Sequence, residues 1–115
     1  MAKLIKNIDL YTGYKHMPDA YMRFTDTIEE VGYMADFTAR ADDEVIDEAT
    51  GQLVVPGFID VHKHGGYGLD TMDGDPDKLN EMVNKMVTEG ITSLFPTTMT
   101  QSPENIERAL KTIDQ

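Results

Sequence analysis

Near the middle of the chain, Asp60-Val61-His62-Lys63-His64-Gly65-Gly66 follows the most apolar run of the sequence, Leu53-Val54-Val55-Pro56-Gly57-Phe58-Ile59. In an extended segment alternate side chains share a face, so Asp60, His62 and His64 point the same way. Neutral imidazole is a good ligand for zinc, iron, cobalt or nickel. A nearby carboxylate can orient such a ring by accepting its second N–H. His62 and His64 are therefore candidate metal ligands, with Asp60 as a candidate orienting group. The plainer alternative is two polar residues at a strand end, bonded to loops. Two imidazoles are also an incomplete set, because a catalytic zinc takes three protein ligands and a water.

Other chemistry-bearing features read more simply. His16 sits in a turn-like stretch with Lys15 and Pro18 and reads as a solvated surface residue. Gly65-Gly66-Tyr67-Gly68 could bring backbone N–H groups to an anion, but it lacks the Lys-Ser/Thr of a phosphate loop. Glycines that let the chain leave a strand sharply explain it better. Asp70, Asp73, Asp75 and Asp77 miss the calcium-loop order and fit helix entry and solvation. Met82 and Met86 read as core filler.

Charge and composition narrow the function classes. The 115 residues carry 21 acidic and 10 basic side chains, a net charge of −11, which argues against nucleic-acid and anionic-membrane partners. There is no cysteine, so disulfides, thiolate catalysis and Cys-based zinc sites are excluded. The first residues lack the apolar run of a secretory signal, and no stretch is long enough to cross a bilayer. The expectation is a soluble, cytoplasmic, acidic protein.

The elements that must position the histidines fall into two styles. Up to residue 53 the chain reads as short strands at Lys3 to Leu10, Tyr21 to Phe24 and Val45 to Asp47. Turn signals stand at Thr12-Gly13, Pro18-Asp19 and Thr50-Gly51. Thr27 to Phe37 is open between a strand pair turning near Val31-Gly32 and an irregular stretch. This half is expected to form a small β-sandwich or sheet unit. Beyond it, Gly57 to Val61 and Ile91 to Pro96 read as fully buried strands. Asp75-Pro76 and Ser102-Pro103 are helix starts. Apolar stripes follow at Leu79, Met82, Val83, Met86 and Val87, and at Ile106, Ala109, Leu110 and Ile113. Strand, helix, strand, helix is the grammar of a parallel α/β sheet. Two such units close no barrel, which needs eight in about 250 residues, so either the sheet is completed by further strands or it is a small open sheet, and the expectation is part of a longer fold.

Val54 to Gly65 resembles the first barrel strand of the amidohydrolase superfamily. His64-Gly65-Gly66-Tyr67-Gly68-Leu69-Asp70-Thr71-Met72-Asp73 and Glu89 to Thr100 resemble, within it, a family of amino-sugar phosphate deacetylases. Leu4 to Asn7 and Glu44 to Asp47 are similar to the β-domain strands such enzymes carry before the barrel. The resemblance implies an α/β fold, the start of a (β/α)8 TIM-type barrel preceded by part of a small β-sandwich domain. Residues 1–53 would be the β-domain segment and 54–115 the first two βα units. The implied activity is metal-dependent removal of the acetyl group from N-acetylglucosamine 6-phosphate, giving glucosamine 6-phosphate and acetate. His62 and His64 map onto the family's metal-binding pair, for a divalent ion such as zinc or iron, and a second metal position is open. The family's metal-binding Glu, two later His ligands and catalytic Asp lie on strands beyond residue 115. No catalytic or cofactor-binding residue apart from the metal pair is therefore placed here. The implied partners are the sugar phosphate, the remainder of the barrel and a second subunit of a homodimer, with no nucleic acid and no membrane. The rivals are a dihydroorotase-like or aminoacylase-like enzyme with the same first strand, or a non-catalytic fragment.

Overall fold

A computed structural model describes residues Met1–Gln115, which divide into two units, Met1–Pro56 and Gly57–Gln115. In the first unit, β1 (Lys3–Tyr11) and β2 (His16–Phe24) form an antiparallel hairpin, and β3 (Ile28–Tyr33) adds to β2. Two short strands, β4 (Glu44–Val45) and β5 (Leu53–Val54), pair in parallel with opposite ends of β1. The result is a five-stranded sheet. Its core is Ile5, Ile8, Leu10, Met17 and Ala20, with Leu4 and Tyr21 also buried.

Three sequence expectations change here. Pro18-Asp19 is not a turn but an irregularity inside β2, where Asp19 has a φ of 54°. The register there jumps from Leu10 opposite Met17 to Ile8 opposite Ala20. Proline lacks the N–H that a regular ladder position needs, and a bulge is where it is tolerated. Thr27 to Phe37 resolves into the single strand β3 and a 3-10 turn at Met34–Asp36. Gly32 does not turn the chain. It lies under the Tyr21 ring, where a Cβ would fall 2.7 Å from Cε1. Finally, the strand expected at Val45 to Asp47 is only β4, and Asp47–Ala49 forms a 3-10 turn. Val54 pairs with Leu10, and the first unit runs to Pro56.

In the second unit β6 (Phe58–Lys63) is followed by a hairpin of two short strands, β7 (Gly65–Gly66) and β8 (Leu69–Asp70). A 3-10 turn, Thr71–Asp73, leads to helix α1 (Pro76–Met86). Strand β9 (Ile91–Pro96) then pairs with β6 in parallel, and helix α2 (Pro103–Ile113) ends the unit. Both expected caps form. The Asp75 carboxylate accepts from the N–H groups of Asp77 and Lys78, and the Ser102 hydroxyl accepts from Asn105. Gly90, at a φ of 81°, ends the helical segment as a left-handed residue that a side chain would strain.

The burial of the parallel pair differs from expectation. Phe58, Val61 and Phe95 are 70%, 68% and 64% exposed, and Ile59 is exposed as well. The cause is where the helices pack. Met82 and Met86 of α1 and Ala109 of α2 are buried. However, the two helices pack against each other, the β7–β8 hairpin and the Thr71–Asp73 turn more than against β6 and β9. Val87, the last residue of the first stripe, falls in a 3-10 turn after α1 and is exposed. Parallel strands are stable when helices or further strands cover them, and an uncovered apolar patch drives association. The chain alone is therefore expected to self-associate and to bind a dye specific for exposed apolar surface. A sharply monomeric species that binds no such dye in sedimentation and fluorescence experiments would overturn this reading of the β6–β9 pair.

Candidate metal centre

β6 ends at Lys63, with His62 on the strand and His64 one residue beyond it. The alternation that put both rings on one side holds. Their Nε2 atoms are 3.0 Å apart, with ring planes at 77°. Two imidazole nitrogens bound at about 2.0–2.1 Å to one zinc lie about 2.9–3.4 Å apart. The separation therefore fits a shared ion, with both ligating atoms already converged. No third His, Asp or Glu joins them, so the pair is a partial ligand set.

Two features hold His64. Its Nδ1 is 3.0 Å from the main-chain carbonyl oxygen of Thr97, the first residue after β9. Its own carbonyl accepts from the Thr71 N–H at 2.8 Å. Between these ties the chain makes its tight β7–β8 hairpin. Tyr67 and Gly68 at the tip both have positive φ, 58° and 77°, the signature of a two-residue type I′ turn. Gly65 permits the close pairing, since a Cβ there would lie 2.5 Å from the Leu69 carbonyl oxygen. The Tyr67 hydroxyl donates to the Glu89 carboxylate, and that bond pushes the phenol above its ordinary pKa. The glycine loop is thus a hairpin pinned at its tip.

Asp60 has a different role from the one its spacing implied. Its Oδ1 accepts from the main-chain N–H of His62 at 3.1 Å, and its Oδ2 is 3.9 Å from the Lys63 ammonium. The ring-orienting acceptor is the Thr97 carbonyl instead. Side-chain patterns cannot reveal a main-chain acceptor. The only trace is the parallel register, which sets Lys63 opposite Pro96 and so brings Thr97 beside His64. His16 belongs to the first unit, where its Nε2 is 2.5 Å from the Asp9 carboxylate and its ring stacks on Tyr11 at 4.1 Å. The acidic run serves helix entry. Asp70 and Asp73 form a reciprocal capping box, and Asp75 caps α1.

No protein-family model matches the chain. Curated proteins do, among them two deacetylases. It is 37% identical over 98 residues to the N-acetylgalactosamine-6-phosphate deacetylase of Escherichia coli O157:H7, a match covering 76% of this chain and 26% of that protein. It is 36% identical over 115 residues to the N-acetylglucosamine-6-phosphate deacetylase of Bacillus subtilis (strain 168), covering 93% of this chain and 27% of that one. Among solved structures, the N-acetyl-D-glucosamine-6-phosphate deacetylase of Mycobacterium smegmatis superposes with a TM-score of 0.76. It is 26% identical, over 98% of this chain and 31% of that one. The chain is similar to the N-terminal part of these deacetylases.

The chain spans about a quarter of the length of the curated deacetylases it matches. The likeness takes in both units, as it must to include 93% of the residues. It agrees with the resemblance carried by Val54 to Gly65 and Glu89 to Thr100. No helix is long and apolar enough to cross a membrane.

Proposed function

We propose that residues 1–115 form the first part of a metal-dependent deacetylase. The enzyme hydrolyses the acetamide of N-acetylglucosamine 6-phosphate to glucosamine 6-phosphate and acetate. The observation that carries this reading is the convergence of His62 and His64 to 3.0 Å at the end of a parallel strand, in a chain whose relatives include proteins named N-acetylglucosamine-6-phosphate deacetylase. In this reading residues 1–56, which include β5, are the small β-domain segment. Residues 57–115 are the first two βα units of a TIM-type barrel, whose active sites lie at the carboxyl ends of the strands. The remainder of the barrel then covers the exposed faces of β6 and β9.

His62 and His64 would hold a divalent ion, zinc or iron, through Nε2. Such an ion supplies a bound water of lowered pKa and polarises the amide carbonyl. The chain's own residues keep the ligands in place: the Thr97 carbonyl holds the His64 ring, the β7–β8 hairpin fixes its main chain, and Asp60 fixes the main chain of His62. The remaining ligands, the carboxylate that moves the water's proton and the phosphate-binding groups belong to the rest of the barrel. We assign the enzyme to the cytoplasm as a homodimer.

An acetate-release assay on the complete polypeptide tests the function, with the 6-phosphates of N-acetylglucosamine and N-acetylgalactosamine and the unphosphorylated sugar as substrates. Fastest turnover of the glucosamine epimer supports the proposal, and a preference for the galactosamine epimer transfers it to the first relative's substrate. Much weaker hydrolysis of the unphosphorylated sugar is expected, because binding energy at the remote phosphate is used in the transition state. Residues 1–115 alone are expected to release no acetate. Turnover of a dihydroorotate-type or acylamino-acid substrate instead would establish the rival enzyme class.

Metal binding gives a second expected outcome. With two imidazoles and no further ligand, residues 1–115 should bind Zn²⁺ on the order of 10 µM or more weakly. Affinity should fall as the solution is acidified, because a protonated ring cannot ligate. Nanomolar binding by calorimetry, unchanged in a His62→Ala/His64→Ala double variant, would remove this pair as the site.

A further inference from the structure

We infer that the main-chain carbonyl of Thr97 sets the tautomer of His64, so that the metal-free pair is an asymmetric couple with His64 protonated on Nδ1 and His62 on Nε2. A carbonyl oxygen can only accept a hydrogen bond. At 3.0 Å from the Thr97 oxygen, His64 Nδ1 must therefore carry a hydrogen. In the neutral ring this leaves His64 Nε2 as a bare lone pair. That lone pair lies within hydrogen-bond distance of His62 Nε2, also at 3.0 Å. Two bare lone pairs at that distance repel, so His62 Nε2 carries the hydrogen that lies between the rings. One pattern satisfies both contacts with neutral imidazoles.

The acceptor is positioned because residue Thr97 is also held through its N–H and its hydroxyl. Its N–H donates to the Lys63 carbonyl at 2.7 Å, and its hydroxyl donates to the Phe95 carbonyl at 3.1 Å. Thr97, through its two flanking peptide groups, thus donates to the residue before His64 and accepts from the His64 ring. Thr97 is a positioning residue that acts through His64. His62 has no such main-chain partner for its ring and is exposed to solvent, so its tautomer is free to exchange.

A consequence rests on the metal reading of the preceding subsection. Ligation through both Nε2 atoms requires no change at His64. At His62 the Nε2 proton leaves to solvent and Nδ1 takes one from solvent, with no net change in charge. One ligand is preset, and the other is remade on binding.

Nitrogen-15 NMR of the two rings in the metal-depleted chain tests this, at a pH where both are neutral, followed by titration with Zn²⁺. The expected spectrum has His64 protonated on Nδ1 and His62 on Nε2, and Zn²⁺ moves only the His62 proton. A His64 ring protonated mainly on Nε2 overturns the inference. Correct starting tautomers with no response to Zn²⁺ leave the inference standing and overturn the metal reading, so the two failures are distinguishable. Thr97→Val loses the hydroxyl bond to Phe95 but keeps the N–H tie to Lys63 and the accepting carbonyl, so the His64 tautomer should stay the same. Thr97→Pro removes the N–H that anchors the peptide. It should give a mixture of His64 tautomers and weaken Zn²⁺ binding about 10–100-fold, as loss of an outer-shell partner does elsewhere. A folded Thr97→Pro chain with the wild-type spectrum also overturns the inference. If that variant does not fold, the wild-type and Thr97→Val spectra decide.

Discussion

If the complete polypeptide is the proposed deacetylase, His62→Ala is expected to lower its kcat/KM for N-acetylglucosamine 6-phosphate by on the order of a thousandfold, about 4 kcal/mol of transition-state stabilisation. It should leave stability within about 0.5 kcal/mol of wild type. The two parts are separable because His62 is exposed. Its tie to the fold runs through its main-chain N–H, bonded to Asp60, which alanine retains. A purely structural histidine would show the reverse, a small loss of stability with activity intact. His64→Ala should cost a similar share of the rate. It should also cost about 1 kcal/mol of stability, because the ring's bond to the Thr97 carbonyl disappears. The loss should fall mainly on kcat, since in the proposed mechanism the ion would act on the reacting amide rather than on the phosphate. A kcat/KM within a factor of about two of wild type for either variant would make this metal position dispensable.

What could be read from the sequence followed from local rules. The shared face of His62 and His64 comes from the two-residue period of a strand, which no tertiary contact can shift without breaking β6. Asp75-Pro76 and Ser102-Pro103 start helices because a capping side chain and a preset proline φ act within one turn. What escaped depended on partners distant in sequence or on main-chain atoms. The Thr97 carbonyl is invisible in any side-chain pattern. The apolar residues of β6 and β9 were expected to be buried, but burial requires a covering layer, and within 57–115 the helices pack chiefly elsewhere. Pro18-Asp19 carries a turn signature, yet β2 absorbs both residues as an irregularity because the β1 ladder resumes on either side. Arg23 is the largest such case. A charged residue in a strand reads as outward-facing, and nothing local indicates that three separate segments enclose it.

Arg23→Ala is expected to cost about 3 kcal/mol of stability, typical of breaking a buried ion pair by removing one partner, and to lower Tm by roughly 10–20 °C. Arg23 is 1% exposed. Its Nε and Nη2 each lie 2.9 Å from an Asp43 carboxylate oxygen, and its Nη1 donates to Glu30 at 2.7 Å. It also donates to the Thr38 carbonyl, while the Tyr21 and Phe37 rings lie 5.3 and 5.1 Å from the guanidinium. Alanine would leave the Asp43 side chain, itself 4% exposed, without its counter-charge. Lysine would not rescue it, because a single ammonium cannot reproduce the planar fork that engages Asp43, Glu30 and Thr38 together. The network also predicts an acid limit. The Arg23 hydrogen bonds hold the Asp43 carboxyl below its ordinary pKa, and those from Tyr21 and then Arg23 do the same for Glu30. A carboxyl whose folded pKa is lowered contributes stability in full above its unfolded pKa. It loses that contribution as pH falls through the folded value. Stability from this source is therefore constant above the ordinary carboxylate values of 4.5 and 3.8 and declines below them. Urea unfolding followed across that range should show a shallower acid decline in Arg23→Ala than in wild type, since the variant has lost most of what acid removes. A loss below about 1 kcal/mol near neutral pH, with an unchanged acid slope, would reduce the Arg23 network to an ordinary surface ion pair.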